Sequence, residues 1–193
     1  MALDSQSPSG DAELLARYAS GDRTAASVLT ARLVPPALAV AQRLLGDRAE
    51  AEDVVQEAML RLWRAAPTWE VGQARVSTWL YRVVVNLCTD RFRRRVPQPR
   101  DDLPDRPDTA PGQEARLQAQ ARAEALQSAL ETLPERQHQA VVLRDIEGLP
   151  NPQIAEILGV SVEAVESLAA RGRRGLKQAL SGRQAELGFK DDA

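Results

Sequence analysis

Cysteine and histidine each occur once in 193 residues, and aromatic side chains make up only 4%. The lone Cys88 excludes an internal disulfide and leaves no thiolate cluster for zinc. His138 stands among Gln and Arg with no evident Ser or Cys partner, so it reads as a surface residue rather than part of a catalytic centre. No metal site and no cofactor are implied. Long apolar runs are also missing, since Arg, Asp or Pro interrupts each one, and no segment is expected to span a bilayer. The opening MALDSQSPSGD lacks the basic start and apolar core of a secretory signal. Together these absences make a cytoplasmic protein the default expectation.

Charge is nearly balanced, at −2 overall, but it is unevenly placed. Arg91, Arg93, Arg94 and Arg95 lie together, as do Arg171, Arg173, Arg174 and Lys177. Two local basic patches on a neutral background suit a limited set of phosphate contacts rather than strong general affinity for DNA.

Strand-like alternation is absent over any useful length, so the spacing predicts an all-α chain. Asp11 can cap a first short helix, which Gly21 stops, and a second helical region runs to about Leu45. Pro35-Pro36 predicts a kink or break within it, and Gly46-Asp47 restarts the chain. In AEDVVQEAMLRLWR, Val54, Val55, Ala58, Met59, Leu62 and Trp63 form one apolar stripe, leaving Asp53, Gln56, Glu57 and Arg61 off it. A loop over 66–76 precedes STWLYRVVVNLCTDRFRRR, which Ser77 can cap. Its buried side is predicted from Trp79, Leu80, Val83, Val84, Leu87 and Cys88.

Residues 96–113 form an acidic tether: VPQPRDDLPDRPDTAPG holds five prolines and four aspartates. Helices resume at Glu114, with Leu117, Ala121, Leu126, Leu130 and Leu133 marking the first. PERQHQAVVLRDIEG supplies another, and the tail GFKDDA is expected to fray. The architecture expected is two small helical domains, 11–95 and 114–182, joined by a flexible linker.

NPQIAEILGVSVEAVESLAARGRR has the layout of a helix-turn-helix. Ala155 is small where the helices touch, Gly159 tolerates positive φ in the turn, and Val165 locks the second helix. Asn151 can cap the first helix and Ser161 the second. A helical hairpin serving only packing is the competing reading. The outward face carries Glu163, Glu166, Ser167, Ala170 and Arg174. A carboxylate there can accept from a cytosine amino group, while the arginines hold phosphates. Glu163 can equally be an acid favoured by the helix dipole.

Taken in order, these segments resemble a bacterial extracytoplasmic-function sigma factor of the sigma-70 superfamily, from about Asp11 to Leu180 apart from the linker. The resemblance implies a binding protein, not an enzyme. Its expected partners are core RNA polymerase, through the beta-prime clamp and beta flap, then promoter DNA and an anti-sigma factor. Membrane insertion and a small-molecule substrate are not implied. Carried onto this sequence, Asp53, Gln56, Glu57 and Arg61 would face the clamp. Trp69, Ser77, Asn86, Arg91, Arg93 and Arg94 would serve the minus-ten element, with the loop from Trp69 to Ser77 cradling a flipped base. Ser161, Glu163, Glu166, Ser167, Arg171, Arg173 and Arg174 would serve the minus-thirty-five element. The linker would thread a polymerase channel, as a mimic of nucleic acid or as a plain solvated tether. The family usually carries a basic residue where this chain has Glu166, and often another where it has Leu168. An autonomous helix-turn-helix regulator is the alternative, but it would leave the clamp-like helix before Trp63 unexplained.

Overall fold

The computed structural model describes residues 8–70, 72, 74–94 and 113–181, and every regular element among them is helical. The tether expected over 96–113, apart from Gln113, and the tail lie outside the described residues, as does Arg95. In the first half, α1 (Pro8–Ala19), α2 (Arg23–Leu45), α3 (Arg48–Ala65) and α4 (Val76–Arg94) pack together. In the second, α5 (Gln113–Glu131), α6 (Glu135–Val141), a π-turn over Val142–Ile146, α7 (Asn151–Leu158) and α8 (Val162–Leu180) do the same.

The apolar periodicities meet in one continuous buried cluster: Leu29, Leu45, Leu62 and Leu80 of the first group are essentially inaccessible in it, as are Leu130, Leu143 and Ile154 of the second. Burial of such a side chain stabilises by about 1.5–3 kcal/mol. Asp22 caps α2 by accepting from the Thr24 and Ala25 amides. Gly46 ends that helix at φ 67, and Asp47 caps α3 through the Glu50 amide at 3.0 Å.

Several local expectations need correction. The helix around Asp11 begins earlier, at Pro8, and Asp11 instead pairs with Arg32 at 3.2 Å. α2 continues through Pro35-Pro36 without a break. The carbonyls those prolines leave without donors belong to the exposed Ala31 and Arg32, where solvent can serve them. Ser77 falls inside the first turn of α4 rather than before it. Ala121 is exposed, because 118–124 extends past the packed part of α5; Ala125 and Ala129 are buried in its place. By length and composition alone α2 is apolar enough to cross a bilayer, because Pro35 and Pro36 do not interrupt it. Its Leu29, Leu33, Ala37, Val40 and Leu44 are instead buried in the core.

Candidate nucleic-acid interface

The first candidate surface is the outer face of α3. Its apolar stripe turns Val54, Val55, Ala58 and Leu62 inward, which leaves Asp53, Gln56 and Arg61 exposed and Glu57 half-buried. Arg61 donates to Glu57 at 2.8 Å, a hydrogen bond that holds the Glu57 carboxyl below the usual carboxylate range. Leu60, 43% exposed, breaks the polar face. Beside it lies an open groove of about 370 Å³ between α2 and α3, lined by Val34, Leu38, Val55, Met59 and Trp63. A mixed charged and apolar face next to a groove suits a protein partner better than a phosphate backbone.

The second surface combines the loop after α3 with α4. Trp69 meets Trp79 edge-on, with ring centroids 5.7 Å apart. The Trp69 indole N–H is buried and has no acceptor among the described residues. Ser77 is half-buried, while Asn86, Arg93 and Arg94 are exposed along α4. Arg91 approaches Asp53 at 3.6 Å, so residues expected in two different surfaces adjoin. Trp79 is half-buried, as its expected packing role requires.

The third surface is the helix-turn-helix. Gly159 takes φ 64 in the turn, and Ser161 accepts from the Ala164 amide at 3.2 Å to start α8. Ala155 and Val165 are buried between the helices. Glu163, Glu166, Ser167, Arg171 and Arg174 all remain exposed. Hydrogen bonds from its own backbone amide and then Ser161 hold the Glu163 carboxyl below its usual range. Arg173 reaches Asp145 at 3.0 Å, while Arg171 donates to the Ser167 carbonyl at 3.3 Å. Asn151 does not cap α7, which begins at Asn151 with Pro150 before it. Its amide instead donates across the turn to Glu166 Oε1 at 3.2 Å.

What the sequence reading missed is a polar seam between the two helical groups. The carbonyl of Arg43, unpaired within α2 because the helix ends at Leu45, accepts from Gln127 at 3.2 Å. It also accepts from His138 Nε2 at 3.1 Å, so that nitrogen carries a proton. The Arg43 side chain pairs with Glu147 at 3.0 Å. Gln139 donates to Thr89, Gln153 to Thr78, and Arg82 to the Glu156 carbonyl at 3.0 Å, while Arg93 reaches Glu135 at 3.4 Å. His138 is therefore 5% exposed, not on the surface as its polar neighbours suggested. Its partner lies 95 residues away, beyond anything local spacing can signal. On α4, Thr78, Arg82, Thr89 and Arg93 form the docking stripe, and at 100° per residue Asn86 borders it.

Burial, its main cause, lowers the His138 pKa from the ordinary 6.5, against the opposing effects of the Arg43 carbonyl and the Glu131 charge. If the two groups separate, the imidazole regains water and its ordinary value. The depressed value means that His138 favours contact fully above pH 6.5, and that this contribution is lost as pH falls through the lowered pKa. Ordinary carboxylates titrate near 4.3, so the window from about 6.5 to 5 isolates the imidazole. Fluorescence transfer between labels on α1 and α8 is expected to fall across that window. His138→Gln, which keeps a donor for Arg43, is expected to flatten the change.

Comparison with known proteins shows the family to which the chain is similar. Residues 29–97 match Sigma-70 region 2, and residues 123–176 match Sigma-70, region 4. The chain is 38% identical over 170 residues to the ECF RNA polymerase sigma factor SigM of Mycobacterium tuberculosis, covering 88% of this chain and 84% of SigM. It is 32% identical to the RNA polymerase sigma factor CnrH of Cupriavidus metallidurans, covering 88% of this chain and 94% of CnrH. The structure of CnrH in complex with the cytosolic domain of CnrY superposes with a TM-score of 0.68 at 31% identity. That superposition covers 90% of this chain and 98% of the other.

Proposed function

Because the chain belongs to the ECF family of RNA polymerase sigma factors, we propose that it docks on core polymerase through α3 and reads a promoter with two separate surfaces. The observation that carries this reading is the division of exposed polar side chains between two helical groups. Asn86 and Arg94 lie on one, and Glu163, Glu166, Ser167, Arg171 and Arg174 on the other. Asp53, Gln56, Glu57 and Arg61 would meet the clamp, with the apolar Leu60 at the centre of the contact. The second group would meet the beta flap. In the loop, the unpaired Trp69 N–H supplies a donor for an extruded base, and Ser77 and Asn86 lie further along the same path. Arg91, Arg93 and Arg94 would hold the adjoining phosphates.

Both promoter surfaces cannot act in the arrangement seen. Elements about 25 base pairs apart at ~3.4 Å each are separated by roughly 85 Å. Here α7 packs directly on α4, so helices spaced about 8–10 Å apart place α8 within two helix layers of α4. The seam must open, which takes Arg82 and Arg93 from Glu156 and Glu135 and uncovers the side of α4 beside Asn86. The polar contacts that hold the seam are few: those of Arg82 and Arg93 are exposed and the other five part-buried, and each hydrogen bond contributes about 0.5–1.5 kcal/mol. The 18 residues between α4 and α5 could span about 60 Å if extended.

An anti-sigma factor would hold the closed arrangement, and the likeness to CnrH, solved with a bound protein domain, supports such a partner. Sigma factors in general do no chemistry, and none is proposed here: no catalytic residue, no cofactor, no small-molecule substrate. Work on chromosomal promoters places the chain in the cytoplasm. Run-off transcription tests the reading. Core polymerase with the full chain is expected to start at particular promoters, while the chain alone binds the same DNA weakly. No stimulation at any genomic promoter would sink the proposal.

A further inference from the structure

Two acids stand at the front of α8, and the structure separates their roles. Glu163 lies in the first turn, where its carboxylate bonds to its own amide and to Ser161. That carboxylate completes the start of the helix. Glu166, one turn later, is exposed, and its protein partner is Asn151 at the start of α7. The neutral amide holds Oε1 at 3.2 Å without cancelling the charge, while Oε2 has no partner among the described residues.

Packing does not account for this pair. The α7–α8 hairpin is set by Gly159 in the turn and by the buried Ile154, Ala155, Leu158 and Val165. One exposed amide–carboxylate bond adds little to such a core. Position favours a ligand instead, because the N-terminal part of the second helix is what reaches base edges in this motif. A fixed carboxylate is an acceptor only. Guanine offers O6 and N7 and thymine O4, all of which repel it. Adenine places N7 beside its amino group, whereas cytosine presents its N4 amino group as a donor.

We infer that Asn151 and Glu166 form a base-reading pair, in which Asn151 positions the Glu166 carboxylate to accept from the exocyclic amino group of a cytosine in the upstream promoter element. Glu166 touches the base, and Asn151 is a positioning residue. Cytosine recognition by a carboxylate replaces the basic contact that the family resemblance led one to expect at this position. The inference rests on the promoter-directing reading above.

The test uses polymerase reconstituted with the full chain on a promoter library randomised across the upstream element, with transcripts sequenced. The unaltered protein is expected to favour cytosine over guanine or thymine at one position by about tenfold. Glu166→Gln is expected to reduce that preference to about threefold or less at that position alone. Asn151→Ala is expected to give an intermediate preference, and Asn151→Ser, which keeps a donor, to recover part of the loss. Melting temperatures are expected to stay within a few degrees. A uniform fall in transcription across all upstream sequences, with no change in base preference, would show a helix staple and overturn the inference. So would an unchanged cytosine preference in Glu166→Gln. Absence of promoter-dependent transcription with the unaltered protein would instead overturn the broader reading on which this one stands.

Discussion

Gly172→Val is expected to lower the melting temperature of the second helical group by roughly 5–20 °C, the equivalent of about 1–3 kcal/mol of overpacking. Gly172 is buried where α8 crosses α6. A Cβ there would meet Val141 Cγ2 at 2.5 Å and the Gln137 carbonyl at 3.1 Å. The carbonyl belongs to the backbone of α6 and cannot rotate away, so the helices must part and void the contact between them. Gly172→Ala should cost less, since the gain in helix propensity of about 1 kcal/mol offsets part of the clash. Gly175 provides the control. A Cβ there meets Leu133 Cδ2 at 2.6 Å, the far end of a flexible side chain, and Gly175→Ala is expected to shift melting by only a few degrees. Calorimetry of the full chain would follow each transition. Equal melting for Gly172→Val and the unaltered chain would contradict the packing described here.

The helix-turn-helix to which Gly172 belongs was legible in the sequence. Gly159, Ala155 and Val165 fix the helix-turn-helix through local rules: a positive-φ turn, a close approach and a branched lock, all within eleven consecutive residues. The cap at Ser161 is equally local, because it bonds the amide three residues on. Outward faces followed from periodicity, and all the residues expected on the reading face of α8 are exposed apart from the half-buried Ala170. The seam was not legible. Gln127, His138, Gln139 and Gln153 carry no periodic signature, and each finds its partner 50 or more residues away. Asn151 illustrates the limit well. Its chemistry suits a cap, and only the path of the chain after Gly159 brings Glu166 within reach. Pro35-Pro36 failed for a different reason: a helix tolerates lost amides when the stranded carbonyls face water.

Charge reversal at Asp53 and Glu57 together (Asp53→Arg, Glu57→Arg) is expected to reduce run-off transcription at least tenfold at every promoter alike. Loss of a charge pair from a protein interface typically costs about 2–5 kcal/mol, and each 1.4 kcal/mol is a factor of ten. Folding should hardly change. Asp53 sits 3.6 Å from Arg91, and Glu57 forms an exposed i,i+4 pair with Arg61; contacts of this kind contribute about 0–1 kcal/mol. Glu13→Arg, an exposed acid on α1, controls for added positive charge and is expected to leave transcription unchanged. The contrast with α8 is the diagnostic feature. A surface that holds the enzyme should lower all promoters equally, whereas a surface that reads DNA should change their ranking. Binding to a labelled clamp fragment should fall in parallel with transcription. If the reversed protein instead kept its affinity for polymerase and lost only some promoters, the exposed face of α3 would belong to the DNA surface that begins at the neighbouring Arg91.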